Sequence, residues 1–92
     1  MEHAVPLPSD SPVVRRRASN DLIAAAALAH RFDRLTAVPF ICECAEVECG
    51  ELLRLTLGEL AAARKLGATV VAPGHAPGGT SVRSERGYWV VD

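Results

Sequence analysis

All three cysteines of this 92-residue chain fall within eight positions, Cys42-Glu43-Cys44-Ala45-Glu46-Val47-Glu48-Cys49. No other feature constrains the fold as strongly. Cys42 and Cys44 are separated by one residue, so in an extended segment their side chains leave the same face. The four residues between Cys44 and Cys49 are enough for the chain to fold back and bring the third sulfur to that point. Structural zinc takes four ligands, usually cysteine and histidine, in a tetrahedron. The fourth must come from elsewhere, and His3, His30 and His75 are the histidines of the chain. His3 lies in an N-terminal tail and His30 inside a helical stretch with no partner motif. His75 follows an apolar, β-branched run and a Pro73-Gly74 break, where a chain can turn a side chain toward a neighbouring hairpin tip. The expected centre is one structural Zn2+ per chain on Cys42, Cys44, Cys49 and His75.

Other readings of the same residues are three buried cysteines without a metal, a Cys44–Cys49 disulfide that leaves Cys42 unpaired, and an iron–sulfur cluster. Two catalytic arrangements also follow from the residue types. If His75 is not a ligand, three cysteines and a water resemble a deaminase-like shell, with Glu43 as general base. The His-x-Glu and Pro-Cys-x-x-Cys signature of that chemistry is absent. Alternatively Cys49 is a nucleophile and His75 its base, although no Asn or Asp is placed to orient the imidazole.

A chain of this length makes one domain at most and buries a limited core. Its aromatic residues are Phe32, Phe40, Tyr88 and Trp89, and much of its apolar content is alanine. A metal staple is the usual remedy for a core so thin. The formal charge is −1, which is not the strongly basic balance of a dedicated nucleic-acid binder. The start, with Pro6 and Pro8, has no apolar signal region, and no run reaches the length of a membrane helix. A cytoplasmic, reduced protein is expected, where clustered cysteines are metal ligands or catalytic groups more often than disulfides.

Along the chain, residues 1–17 read as a flexible tail, with Pro6, Pro8 and Pro12 ending in the Arg15-Arg16-Arg17 run. Residues 18–92 read as a single small zinc-binding domain. A helix is expected from a cap at Ser19 or Asn20 to about Arg34, with Leu22, Ala25, Leu28, Ala29, Phe32 and Leu35 on its inner face. Thr36 to Pro39 reads as a connector. Phe40-Ile41-Cys42 and Glu51 to Thr56 read as the strands of a hairpin tipped by the cysteines, with Leu53 and Leu55 on one face. Thr56 and Glu59 fit a capping box for a helix over 57–66, which Gly67 ends. Ala68 to Ala72 is a buried strand, Ala76 to Thr80 a turn or loop, and Tyr88 to Val91 a closing strand. The order α-β-β-α-β-β predicts an α+β fold, with two helices on a small, mainly antiparallel sheet of two hairpins. Glu43, Glu46, Glu48 and Glu51 read as exposed acidic charge around the thiols.

Five pieces of the chain together resemble a group of short bacterial proteins common in actinobacteria. They are Phe40-Ile41-Cys42-Glu43-Cys44, Cys49, Leu55-Thr56-Leu57-Gly58-Glu59-Leu60, Val71-Ala72-Pro73-Gly74-His75 and Tyr88-Trp89-Val90-Val91. The resemblance spans about the last fifty-five residues and includes all four expected ligands. The chain departs from the group at Leu60, usually tyrosine there, and in its alanine-rich first helix. No activity is assigned to the group, so the resemblance implies fold and ligands only.

The leading functional expectation is a small zinc-stabilised binding module, a regulatory or adaptor protein that contacts another protein. Its candidate contact residues are Arg15, Arg16, Arg17, Glu43, Glu46 and Glu48. The alternative is a nucleic-acid or transcription-complex factor using Arg15, Arg16, Arg17, Arg31 and Arg34. The third reading is a metal- or thiol-dependent enzyme. No membrane partner is expected.

Overall fold

The structure is a computed structural model and describes residues 11–91. The first helix, α1, spans Pro12–Ala29; Ser11 stands at its N-cap position without a side-chain capping bond, and Pro12 is in its first turn. A proline there loses nothing, because its missing N–H would have had no helical acceptor. The expected flexible tail is therefore corrected over 12–17, which is helical, while residues 1–10 lie outside the described residues. The helix ends at Ala29, before the expected Arg34. Phe32 N–H bonds Ala27 O, Arg31 N–H bonds Leu28 O, and Arg31 has φ 64°. This is a Schellman stop with arginine in the left-handed position that glycine usually fills. Without a glycine, the sequence carries no sign of it.

The inner face of α1 also differs from expectation. Asn20 and Ala27 are buried, and Ile23 and Ala24 pack on the core. Leu22 and Leu35 are 73% and 87% exposed, and Leu28 and Phe32 also face outward. Counting apolar residues misplaces this helix because a polar one, Asn20, faces inward.

Two strands, β1 (Ala37–Ile41) and β2 (Leu52–Thr56), form an antiparallel hairpin with Phe40 opposite Leu53 and Val38 opposite Leu55, all four buried. Residues 37–39 belong to β1, although Pro39 marks them as a connector. Cys42 N–H bonds Glu51 O, so the ladder bonds fall on Phe40 and Val38, and Pro39 sits opposite Arg54 where its nitrogen points off the ladder. Proline is tolerated at such an edge. On the free side of β1, Asn20 takes the place of a strand. Its side chain donates to Ile41 O at 2.8 Å and accepts from Ile41 N–H at 2.8 Å.

The second helix, α2 (Leu57–Lys65), starts on the expected capping box: Glu59 N–H donates to Thr56 Oγ1 and Thr56 N–H to Glu59 Oε1. Gly67, at φ 71°, closes it in a second Schellman turn, with Ala68 N–H on Ala63 O. Leu57, Leu60 and Ala63 face the core.

Three further strands, β3 (Thr69–Val71), β4 (Val82–Glu85) and β5 (Tyr88–Val91), form an antiparallel sheet in the order β3-β5-β4. The fold is thus α+β with two small antiparallel sheets. β4 adds a strand to the expected order, its short, mostly exposed run turning into β5 at Arg86-Gly87, with Gly87 at φ 83°.

Replacing Asn20 by Ala should destabilise the fold by about 2–3 kcal/mol, because it leaves Ile41 N–H and C=O without partners beside the core. Leu22→Ala should stay within about 0.5 kcal/mol of the parent, as expected for an exposed site. Urea unfolding followed by circular dichroism measures both.

Candidate metal centre

The hairpin, the loop at its tip and the end of β3 bring four side chains to one point. The ligand atoms of Cys42, Cys44, Cys49 and His75 all lie within 4.8 Å of one another. All three cysteines are free thiols, so the Cys44–Cys49 disulfide is not formed. His75 Nδ1 is 3.6 Å from Cys42 Sγ and 3.5 Å from Cys49 Sγ. Cys42 and Cys44 are buried, whereas Cys49 and His75 are half-exposed.

Local sequence explains each placement. His75 N–H bonds Ala72 O at 3.0 Å, and Gly74 has φ 87°. With Pro73 before that glycine, residues 72–75 make the type II turn that Pro-Gly favours. The turn ends β3 and aims His75 back at the hairpin. On the other side, Cys49 N–H bonds Glu46 O and closes the loop. Arg16 of α1 then ties that loop down. Its guanidinium donates to Cys44 O at 2.8 Å, Glu46 O at 2.7 Å, Val47 O at 3.0 Å and Cys49 O at 3.3 Å. It also stands 3.8 Å from Cys44 Sγ. Arg16 therefore holds the loop and sets a positive charge beside the thiols. It is not part of a solvated run, and its guanidinium is not left for a partner.

Glu43, between two of the cysteines, is the largest departure from the expected acidic surface. It is 1% exposed. Its carboxylate accepts from Arg64 NH1 at 3.0 Å and Arg64 NH2 at 2.5 Å, from Asn20 Nδ2 at 2.7 Å and from Val70 N–H at 2.9 Å. Burial works against the Arg64 charge, but Glu43 and then Asp21 outweigh it and raise its pKa above the ordinary value. With its oxygens so occupied, Glu43 is neither a surface contact nor a general base. Glu46 and Glu48 are exposed. They border an open cleft of about 730 Å³ beside Cys49 and His75. Arg15 is exposed and Arg17 is half-buried in α1.

The thiols are electrostatically unequal. Burial pushes Cys42 up to about 12, although the Ala72 N–H, 3.1 Å from its sulfur, favours the thiolate. Burial acts on Cys44 as well, but hydrogen bonds from His75, the Glu46 backbone and the neighbouring cysteines bring it down to about 7.

Arg16, Asn20 and Arg64 are the supporting residues that sequence reasoning missed. The signal for two of them was spacing: Arg16 and Asn20 are four apart and share the inner face of α1 with Ala24 and Ala27. No protein-family model matches the chain, and neither does any curated protein or solved structure.

Arg64→Met should cost about 3–5 kcal/mol, because it strands a buried carboxylate. Glu43→Gln in the same chain should recover part of that loss. Chemical denaturation of the two single variants and the double variant gives the coupling directly.

Proposed function

We propose that Cys42, Cys44, Cys49 and His75 hold one Zn2+, and that the protein is a zinc-stapled binding module for another protein. The observation that carries the metal reading is the position of His75 Nδ1, 3.5 and 3.6 Å from two sulfurs at once. A single ring proton cannot serve both. Zinc with ordinary bond lengths of about 2.3 Å to sulfur and about 2.0 Å to nitrogen sets N···S edges of about 3.5 Å in a tetrahedron.

The surroundings support the same reading. Three thiolates, a neutral imidazole and a divalent zinc sum formally to −1, and Arg16 supplies the opposite charge beside Cys44. The Ala72 N–H stabilises the Cys42 sulfur, the kind of outer hydrogen bond that tunes metal ligands. Four protein ligands close the tetrahedron, which makes the metal a staple and not a catalyst. It joins the β1–β2 hairpin to the turn after β3, across a boundary that no continuous sheet spans. Membership of the bacterial group described above belongs to the same proposal, because its cysteine and Pro-Gly-His pieces supply the four ligands. With Arg16 and Arg64 engaged inside the fold, fewer cations are left for a phosphate backbone, which favours a protein partner. Among the described residues no helix is long and apolar enough to cross a membrane.

Protein purified without added metal should contain about one zinc per chain by elemental analysis. Cys49→Ala should lose both the metal and the folded signal, since binding and folding are coupled. Absence of metal from the parent overturns the assignment, and tight zinc with an unchanged fold in His75→Ala reassigns the fourth ligand. Zinc uptake should also depend on pH in a definite direction. Zinc must displace the Cys42 proton across the neutral range, and below about pH 7 the Cys44 proton as well. Apparent affinity should therefore fall as pH falls, more steeply below about pH 7, in a competition titration with a chelator.

A further inference from the structure

We propose that the outward face of α1, with the groove between α1 and α2, docks an amphipathic helix of a partner protein that carries acidic residues beside its apolar stripe. This deepens the binding-module reading and rests on it.

The face is built like half of a helix pair. Asn20, Ile23, Ala24 and Ala27 turn inward. On the opposite side Val14, Ala18, Leu22, Ala25 and Ala29 are all exposed. They recur at intervals of four, four, three and four, close to the spacing of a packed helical seam, and none carries charge. Leu28, Phe32 and Leu35 extend the apolar surface past the end of the helix, all exposed. Beside them a groove of about 260 Å³ is lined by Ala24, Ala25, Leu28, Leu57, Leu60 and Ala61, with the Asp21–Arg64 ion pair also in its wall. Leu57 and Leu60 are buried at its floor, and the alanines leave room for an incoming side chain. Helix-in-groove recognition uses such a stripe with pockets for large anchors.

Charge selects the occupant. Residues 12–36 hold five arginines and two aspartates, formally +3 in a chain of net −1, and of the five Arg16 is turned to the cysteine loop by the contacts described above. Both aspartates are engaged within the fold. Asp21 pairs with Arg64 at 3.0 Å. Asp33 accepts from Leu35 N–H at 2.7 Å and Thr36 Oγ1 at 3.2 Å. Arg31 and Arg34 are exposed at the end of the apolar stripe. The complement of this face is apolar in the middle and acidic at its margins. A second copy laid antiparallel on α1 would bring Arg31 and Arg34 toward the other copy's Arg15 to Arg17, like against like. A phosphate backbone needs a continuous basic track, whereas here Arg16 is turned to the cysteine loop and the Arg15–Arg17 and Arg31–Arg34 groups stand at opposite ends of the apolar stripe.

The test is selection from a displayed library of helix-forming peptides on the zinc-loaded protein, followed by affinity measurement on the enriched peptides. Enrichment of peptides with apolar residues at helical spacing and Glu or Asp beside them is the expected result. Leu28→Glu should weaken their binding at least about tenfold, as for an anchor at the centre of an interface. The Arg31→Glu/Arg34→Glu double variant should weaken it and flatten its salt dependence. Both variants should keep the parent zinc content and helical circular dichroism, which separates a lost surface from a lost fold. Enriched peptides that are basic, or that bind Leu28→Glu unchanged, overturn the assignment. If those peptides are instead lost on Glu48→Lys, the module reading stands with a different face. No enrichment at all overturns both. A dimer in sedimentation that Leu22→Glu dissolves assigns the face to a second copy, and tight oligonucleotide binding assigns it to nucleic acid; either overturns the acidic-helix partner.

Discussion

The carboxylate of Glu43 is the point on which the rest of the structure depends. It lies in the hairpin tip between two cysteines, yet its contacts reach α1 through Asn20, α2 through Arg64 and β3 through Val70 N–H. Four elements distant in sequence meet at one buried charge. A buried ion pair recovers its desolvation cost only when its geometry is good and its remaining lone pairs are satisfied. Glu43 meets that condition with donors from three directions. The contacts it makes fix the hairpin tip against three other elements, and that arrangement places Cys42 and Cys44.

Around that charge the protein uses side chains where larger proteins use secondary structure. Asn20 completes β1 as a neighbouring strand would, with a donor and an acceptor on one residue. Arg16 gathers four carbonyls of a loop that has little regular structure of its own. The Cys42 sulfur accepts from Ala72 N–H. In a core made of few large side chains, these polar devices fix the geometry that packing alone would leave loose. They also draw α1 into the site: one polar edge of the helix organises the cysteine loop while its opposite edge stays apolar and exposed.

Much of this is legible in the sequence itself. The cysteine spacing, the Pro-Gly turn before His75 and the capping box at Thr56 are local signals, and local physics decides them. The alternation at Leu53 and Leu55 also survives, because a two-stranded hairpin has one buried face. What escaped depends on distant partners. Glu43 reads as surface charge until Arg64 and Asn20 are placed against it. The inner face of α1 reads as apolar because hydropathy cannot anticipate an asparagine that pairs with a strand edge. The stop at Ala29 was hidden because Arg31 takes a backbone conformation that sequence patterns assign to glycine. The strand over Val82 to Glu85 was invisible because its residues are mostly exposed and offer no apolar alternation.

Those same side-chain substitutes have a bearing on aggregation. Short sheets expose edges, and an unpaired edge is a template on which another chain can add a strand. Here the edge of β1 at Ile41 is occupied by Asn20, and the edge of β3 is occupied by Glu43 and Cys42 at Val70 and Ala72. The outer strand β4 is four residues long and carries an Arg83–Glu85 ion pair. A second chain seeking a strand partner at β1 or β3 finds amide positions already taken, and at β4 it finds charge. In this small protein the groups that shape the cysteine cluster also occupy the edges of β1 and β3 on which a neighbour could otherwise build.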